Sequence, residues 1–216
     1  MDILNFISWI KGGRYSTTIP TNAVTVVGIP NLNRDDKYLP VTVPVSAFGG
    51  GSNIGKLLGG GIVVGEWDDN GVKKALVASL TNLSNSLPWT VPAQQANLIG
   101  GIAQSYTEGL TNTNAIVAQA GGATTAYAAG IARLYLGGGY NDWYLPSAWE
   151  LSMCYNSATI VNKVLGVTNG FSYAYYWSST ESSSNLAITQ YFPNSVISTT
   201  NKANPFPVRA VRIHNL

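Results

Sequence analysis

One cysteine, Cys154, stands in a chain of 216 residues. No intrachain disulfide can close and no Cys-based zinc site can form, so the fold has to be held by burial and hydrogen bonding. The length, about one large domain or one medium domain with an appendage, is enough to bury a core without cross-links. The single histidine, His214, sits near the end of the sequence. A Ser-His-Asp or Cys-His device would have to be built on that position. Most hydrolase and transition-metal chemistry is set aside on these counts, and neither a cofactor nor a metal site is expected. Carboxylates offer no alternative: Asp68 and Asp69 share a turn and Glu150 is committed to a helix cap, so no facing pair at glycosidase spacing is read. No catalytic residue is assigned, and the protein is expected not to be an enzyme.

Charged residues make up only 10% of the chain, against 45% hydrophobic and 11% aromatic. Charge is usually nearer a quarter; here Gly, Ser, Thr and Asn take its place. The aromatic content argues against disorder, and a net charge of +2 gives no footprint for nucleic acid. No run approaches the ~18 apolar residues that span a bilayer, so membrane insertion is not expected. The opening Met1-Asp2-Ile3-Leu4-Asn5 lacks the basic region and small-residue cleavage site of a secretory signal. An uncharged surface without an export address fits a protein made in the cytosol and carried outside on a particle.

Residues 2–10 place Ile3, Phe6, Ile7 and Ile10 on one stripe of a short helix, with Trp9 beside it. Asp2 reads as its N-cap and Gly12-Gly13 as its stop. So short a helix has to pack on something, its own domain or another chain. Residues 14–48 read as extended chain punctuated by Pro20, Pro30, Pro40 and Pro44, suited to edge strands and polyproline-like arms. The division expected is an N-terminal attachment and oligomerisation arm over 1–48, a Gly-rich linker over 49–58 and a domain over 59–216.

In that domain, Ile62-Val63-Val64 starts a strand, Asp68-Asp69-Asn70-Gly71 is a hairpin turn and residues 74–78 return. Helical spacing is read over 92–108 and 113–135, broken at Gly121-Gly122. Trp143-Tyr144-Leu145 reads as a short strand. Ser147 with Glu150 three residues later is a capping box that opens a helix through Leu151, Cys154 and Tyr155. Tyr175–Glu181, Ile188–Phe192 and Val208–Ile213 read as strands. The order of hairpin, helices and strands predicts an α+β fold with an antiparallel sheet.

The succession GGGIVV, DDNG, GGGYNDWYLPSAWEL, YYWSSTE and VRAVR over residues 59–213 resembles the C-terminal domain of collagen-like (Lcl-type) adhesins. The resemblance implies a C-type-lectin-like domain, with a small twisted antiparallel sheet, flanking helices and a long excursion of loops. It also implies an adhesive or ligand-binding tip, often trimeric. The chain departs from the pattern in lacking a Gly-X-Y repeat, the cross-linking cysteines and the Glu-Pro-Asn or Gln-Pro-Asp triplets of calcium-dependent lectins, so calcium-mediated sugar binding is not expected. The single cysteine also excludes the formylglycine-generating relatives, which need a pair.

Trp143, Trp149 and Trp177 are read as core, because large aromatics supply most of the burial where Leu and Phe are few. Glu181 is expected to pair with Arg209 or Arg212, with Asp142 in the same network. The binding candidates are loop residues Tyr173, Tyr175, Tyr176, Ser183, Asn185, Tyr191 and Asn194, since Tyr, Ser and Asn supply rigid contact and adaptable hydrogen bonding. The expectation is a non-enzymatic virion structural protein, a phage tail fibre or tip or a capsid decoration. It would join virion or tail proteins through Ile3, Phe6, Ile7, Trp9 and Ile10, form a homo-oligomer with a trimer favoured, and attach to a host-surface glycan or protein. A bacterial surface adhesin binding glycans and a purely architectural capsid cement protein are the alternatives. A virion surface is the expected location, with the cell surface second.

Overall fold

The computed structural model describes residues 23–26, 41–44 and 51–216. The chain divides into two units, Met1–Ser52 and Asn53–Leu216. In the first, β1 (Ala23–Val26) and β2 (Val41–Pro44) pair antiparallel, Ala23 opposite Pro44 and Val26 opposite Val41. The helix expected over 2–10, with Ile3, Phe6, Ile7, Trp9 and Ile10, lies outside the described residues.

The second unit is organised by a four-stranded antiparallel sheet. Its strands are β3 (Leu57–Leu58), β4 (Gly61–Asp69), β5 (Val72–Ala78) and β11 (Val211–Asn215), in the order β11-β5-β4-β3. The β4–β5 turn forms because Asn70 (φ 54°) and Gly71 (φ 87°) accept the left-handed backbone that a two-residue hairpin demands. The Asp68 carboxylate accepts the Gly71 N–H at 2.6 Å. The side chains of β4 and β5 then alternate between two cores. Val63, Ala75 and Val77 face one, with Trp89, Ile116, Ala128, Ala129, Ala132, Trp143 and Trp177. Ile62, Val64, Leu76 and Ala78 face the other, with Leu151, Cys154, Val161, Phe171, Tyr176 and Phe192. Burial on both faces is why these strands read as nearly continuous apolar runs.

Helix α1 (Gly109–Gln119) and α2 (Ala128–Leu134) supply the first core, and α3 (Ala148–Asn169) the second. Gly65 lets α3 lie close to β4, since a Cβ there would meet the Met153 sulfur at 2.6 Å. The capping box is present in full. The Ser147 hydroxyl accepts the Glu150 N–H, and the Glu150 carboxylate accepts the Ser147 N–H at 2.7 Å. A second, three-stranded antiparallel sheet contains β7 (Tyr175–Glu181), β8 (Leu186–Tyr191) and β9 (Val196–Asn201). A short pair joins β6 (Ser84–Leu87) to β10 (Phe206–Val208). The architecture is α+β, with antiparallel pairing throughout the described strands.

Several expectations need correction. Residues 92–108 are not a helix but hold two single 3₁₀ turns, Pro92–Gln94 and Gly101–Ala103. Pro92 and the Gly100-Gly101 pair interrupt what the apolar spacing suggested. Residues 143–145 form a lone bridge, Tyr144 opposite Val211. The linker expected to run to residue 58 ends sooner, because Gly55 N–H donates to Val63 O at 2.8 Å and β3 pairs with β4. The strand read over 208–213 is two strands, β10 and β11, with Arg209 and Ala210 between them.

Candidate functional site

Asn162 on α3 holds the chain after the helix by both ends of its amide. Its Nδ2 donates to Phe171 O at 3.0 Å and its Oδ1 accepts Phe171 N–H at 2.6 Å. The next N–H, of Ser172, donates to the Tyr176 hydroxyl at 2.7 Å, and Phe192 N–H donates to Ala174 O at 3.0 Å. Tyr173 lies between these fixed points and is 86% exposed. Beside it is a hollow of about 430 Å³ lined by Tyr155, Asn156, Thr159, Asn162, Phe192 and Pro193 among others. Among the described residues no charged side chain lines it. Amide and hydroxyl groups with two or three aromatic edges, on a pinned backbone, suit a polyhydroxylated ligand or a polar loop.

The other candidate residues separate. Tyr176 is fully buried. Its ring belongs to the second core, and its hydroxyl donates to Asn82 Oδ1 at 3.0 Å, so it is a core residue and not a ligand contact. On β7 the side chains alternate, and Tyr176 takes the inward place beside Phe171 and Phe192. Tyr175 and Tyr191 are cross-strand partners, stacked at 4.5 Å and half-buried. They stand at the same end of the β7–β8 hairpin as Tyr173, and Asn194 is in the next turn, its Oδ1 accepting Val196 N–H. Ser183 and Asn185, bonded to each other at 3.2 Å, occupy the opposite end of that hairpin. The seven candidates therefore do not share one face.

The expected ion pairs are also redistributed. Glu181 pairs with Lys202 and not with Arg209 or Arg212. Arg212 forms a fork with Asp142, Nε to Oδ1 at 2.6 Å and Nη2 to Oδ2 at 2.8 Å, and lies 3.7 Å from the Tyr140 ring centroid. Arg212 holds the Asp142 carboxyl below its ordinary range, mainly through the hydrogen bonds. Arg209 is buried, and no carboxylate among the described residues pairs with it; it donates to Asn169 O and Asn82 Oδ1 and lies over Phe171. Burial lowers its pKa to about 10.

A second concavity, of about 500 Å³, was not legible as a site. Trp67, Tyr144, Trp149 and the start of α1 form its walls, with Asp69, Lys74, Glu108, Asp142 and Glu150 among them. Trp149, expected in the core, is 40% exposed. It is the second residue of α3, and the first turn of that helix faces this groove. At the groove floor the Tyr144 hydroxyl donates to Glu150 Oε1 at 2.6 Å. Burial pushes the Glu150 carboxyl up. Among the described residues no cluster of three or more His, Cys, Asp or Glu is placed to hold a metal. No described helix is long and apolar enough to cross a membrane.

Helices packed on antiparallel sheets, with a pinned and exposed loop at one end, define a small α+β domain. Residues 79–212 match the Lcl C-terminal domain, and the chain belongs to that family. Among solved structures the chain is similar to a fimbrial protein from Bacteroides ovatus, at 17% identity and a TM-score of 0.41. That similarity covers 64% of this chain and 35% of the fimbrial protein, so the chain spans about a third of its length. No curated protein sequence matches the chain.

Proposed function

We propose that this protein is a non-enzymatic, surface-exposed protein of adhesin type whose second unit binds a host-surface glycan or protein at the hollow beside Tyr173. Membership in the Lcl C-terminal domain family supports the adhesin-type role. The observation that carries the choice of site is Tyr173 itself, an 86% exposed ring on a loop whose flanking backbone is held by Asn162, Tyr176 and Phe192. A rigid aromatic contact loses little entropy on binding. Tyr173→Ala should abolish retention of the protein on a glycan and host-surface array while its unfolding midpoint stays within the spread of repeated wild-type measurements. Undiminished retention, or no retention by the unaltered protein, overturns the assignment, and the latter favours an architectural role without ligand.

The finer reading of the carrier is a virion: a trimeric tail fibre, tip or capsid decoration joined to its particle through residues 1–48. The sequence stripe Ile3, Phe6, Ile7 and Ile10 with Trp9 supports it. The full chain bearing Phe6→Glu and Ile7→Glu should fail to co-sediment with particles and lose its trimeric mass. Unchanged assembly removes the docking role and leaves the cell-surface adhesin.

A further inference from the structure

We propose that the groove lined by the touching Trp67 and Trp149 rings is a second binding site, separate from the Tyr173 hollow, for a glycan carrying free ammonium groups, that is, a de-N-acetylated amino sugar. In a chain so poor in charge, the placement of its acids is informative. Four of the ten acidic residues, Asp69, Glu108, Asp142 and Glu150, come from four separate stretches and meet on this one concavity. Asp69 is balanced by Lys74 and Asp142 by Arg212. Glu150 is occupied by the Ser147 N–H and the Tyr144 hydroxyl. Glu108 is exposed on the rim, and no described cation pairs with it. The wall therefore has a negative excess and one carboxylate free to meet a cation.

The aromatic walls supply the second half of the recognition. The Trp67 and Trp149 rings stand 5.7 Å apart at 75°, forming a corner. An indole face stacks on the apolar C–H face of a pyranose, and it attracts an ammonium through its quadrupole, an effect largest for Trp. The backbone that carries each ring is fixed. Trp67 is in β4 opposite Lys74, and the main-chain N–H of Trp149 donates to Tyr106 O at 2.9 Å in the capped first turn of α3. Thr107 and Thr111 line the groove with hydroxyls that suit a polyhydroxylated ligand. The volume of about 500 Å³ falls within the usual range for ligand sites. A sulfated or carboxylated glycan would face the unpaired Glu108 carboxylate and be repelled.

The test uses the full chain and follows tryptophan fluorescence and titration calorimetry at pH 6. The probes are a glucosamine tetramer, its N-acetylated counterpart, a heparin tetrasaccharide and a tetralysine peptide. The glucosamine tetramer should bind. Trp149→Ala should weaken that binding at least tenfold and Glu108→Gln several-fold, 0.5 M salt should weaken it further, and Tyr173→Ala should leave it unchanged. Trp149→Phe, retaining an aromatic face, should recover part of the loss and guards against misfolding of the alanine variant. Equal or tighter binding of the N-acetylated, heparin or tetralysine probe overturns the proposal. So does the absence of binding, or binding indifferent to both Trp149→Ala and Glu108→Gln. Because Tyr173→Ala reports only on the other hollow, failure here is distinguishable from failure of the adhesin assignment.

Discussion

Lys202 and Glu181 form an ion pair at 2.6 Å in which both side chains are fully shielded from solvent. The lysine ammonium directs its other two hydrogens to Ser184 O at 2.7 Å and Asn97 O at 3.0 Å. The glutamate accepts Ile99 N–H at 3.0 Å and Gly100 N–H at 2.8 Å. The pair thus fastens the 97–100 loop to the β7–β8 hairpin and to the end of β9. Removing one partner strands a buried charge, which costs about 3–5 kcal/mol. Lys202→Met should lower stability by about that much in urea denaturation. Glu181→Gln combined with Lys202→Met should recover part of it, and a double variant worse than the single one would contradict the account.

Tyr176 and Tyr173 should respond in opposite ways. Tyr176→Phe deletes the hydroxyl that accepts Ser172 N–H and donates to Asn82, leaving buried groups unpaired at a cost of about 1–3 kcal/mol. Chemical denaturation should show that loss. Tyr173→Ala should show none, and its effect should fall on ligand retention alone.

Glu150 gives a pH dependence whose sign is fixed by burial. Its folded pKa lies above the ordinary 4.5. Between those two values the folded state holds more protons than the unfolded state, so its contribution to stability falls as pH rises through the window. In Glu150→Gln that slope should vanish. The difference in melting temperature, variant minus wild type, should therefore grow more positive from pH 4 upward in a scanning calorimeter.

The Asp142–Arg212 fork acts in the other direction. Its depressed carboxyl contributes stability above pH 3.8 that is lost as the pH falls through the lower folded value. Asp142 is partly exposed, so the contribution is about 1 kcal/mol. Arg212→Lys keeps the charge but loses the fork and the stacking on Tyr140, and should lose about that much at pH 7. Melting curves followed downward from pH 7 check both statements, since the difference should narrow as the pH falls below 3.8 and keep the part that comes from Tyr140.

Cys154 is fully buried, and burial pushes its thiol pKa up to about 12. A thiol so shielded is inert. An aromatic disulfide reagent should fail to titrate it in the native protein and should titrate one equivalent in 6 M guanidinium.

What the sequence made legible was what local chemistry decides. The Asn70-Gly71 turn and the Ser147–Glu150 box depend on residues within a few positions of one another, and both are present as read. Trp143 and Trp177 are core, as large aromatics in fold-defining segments should be. The misreadings are tertiary. Tyr176 resembles its neighbours in composition, but strand alternation turned it inward. Lys202 carries no local mark of its burial, which depends on a carboxylate 21 residues away and on two carbonyls from other loops. Trp149 follows a cap residue, and which way the first helical turn faces depends on the hairpin packed opposite, through Trp67. The groove joins the 67–74 hairpin, the start of α1, Asp142 and the start of α3, a convergence that no single stretch announces.

The two hydrogen bonds exchanged between the Asn162 amide and the Phe171 main chain separate the conformation of residues 171–174 from the identity of the side chain at 173. Selection can rewrite that one side chain in a single step while the frame around it stays put. A lineage facing a changing host surface would then vary here first and leave Asn162, Phe171 and Tyr176 untouched.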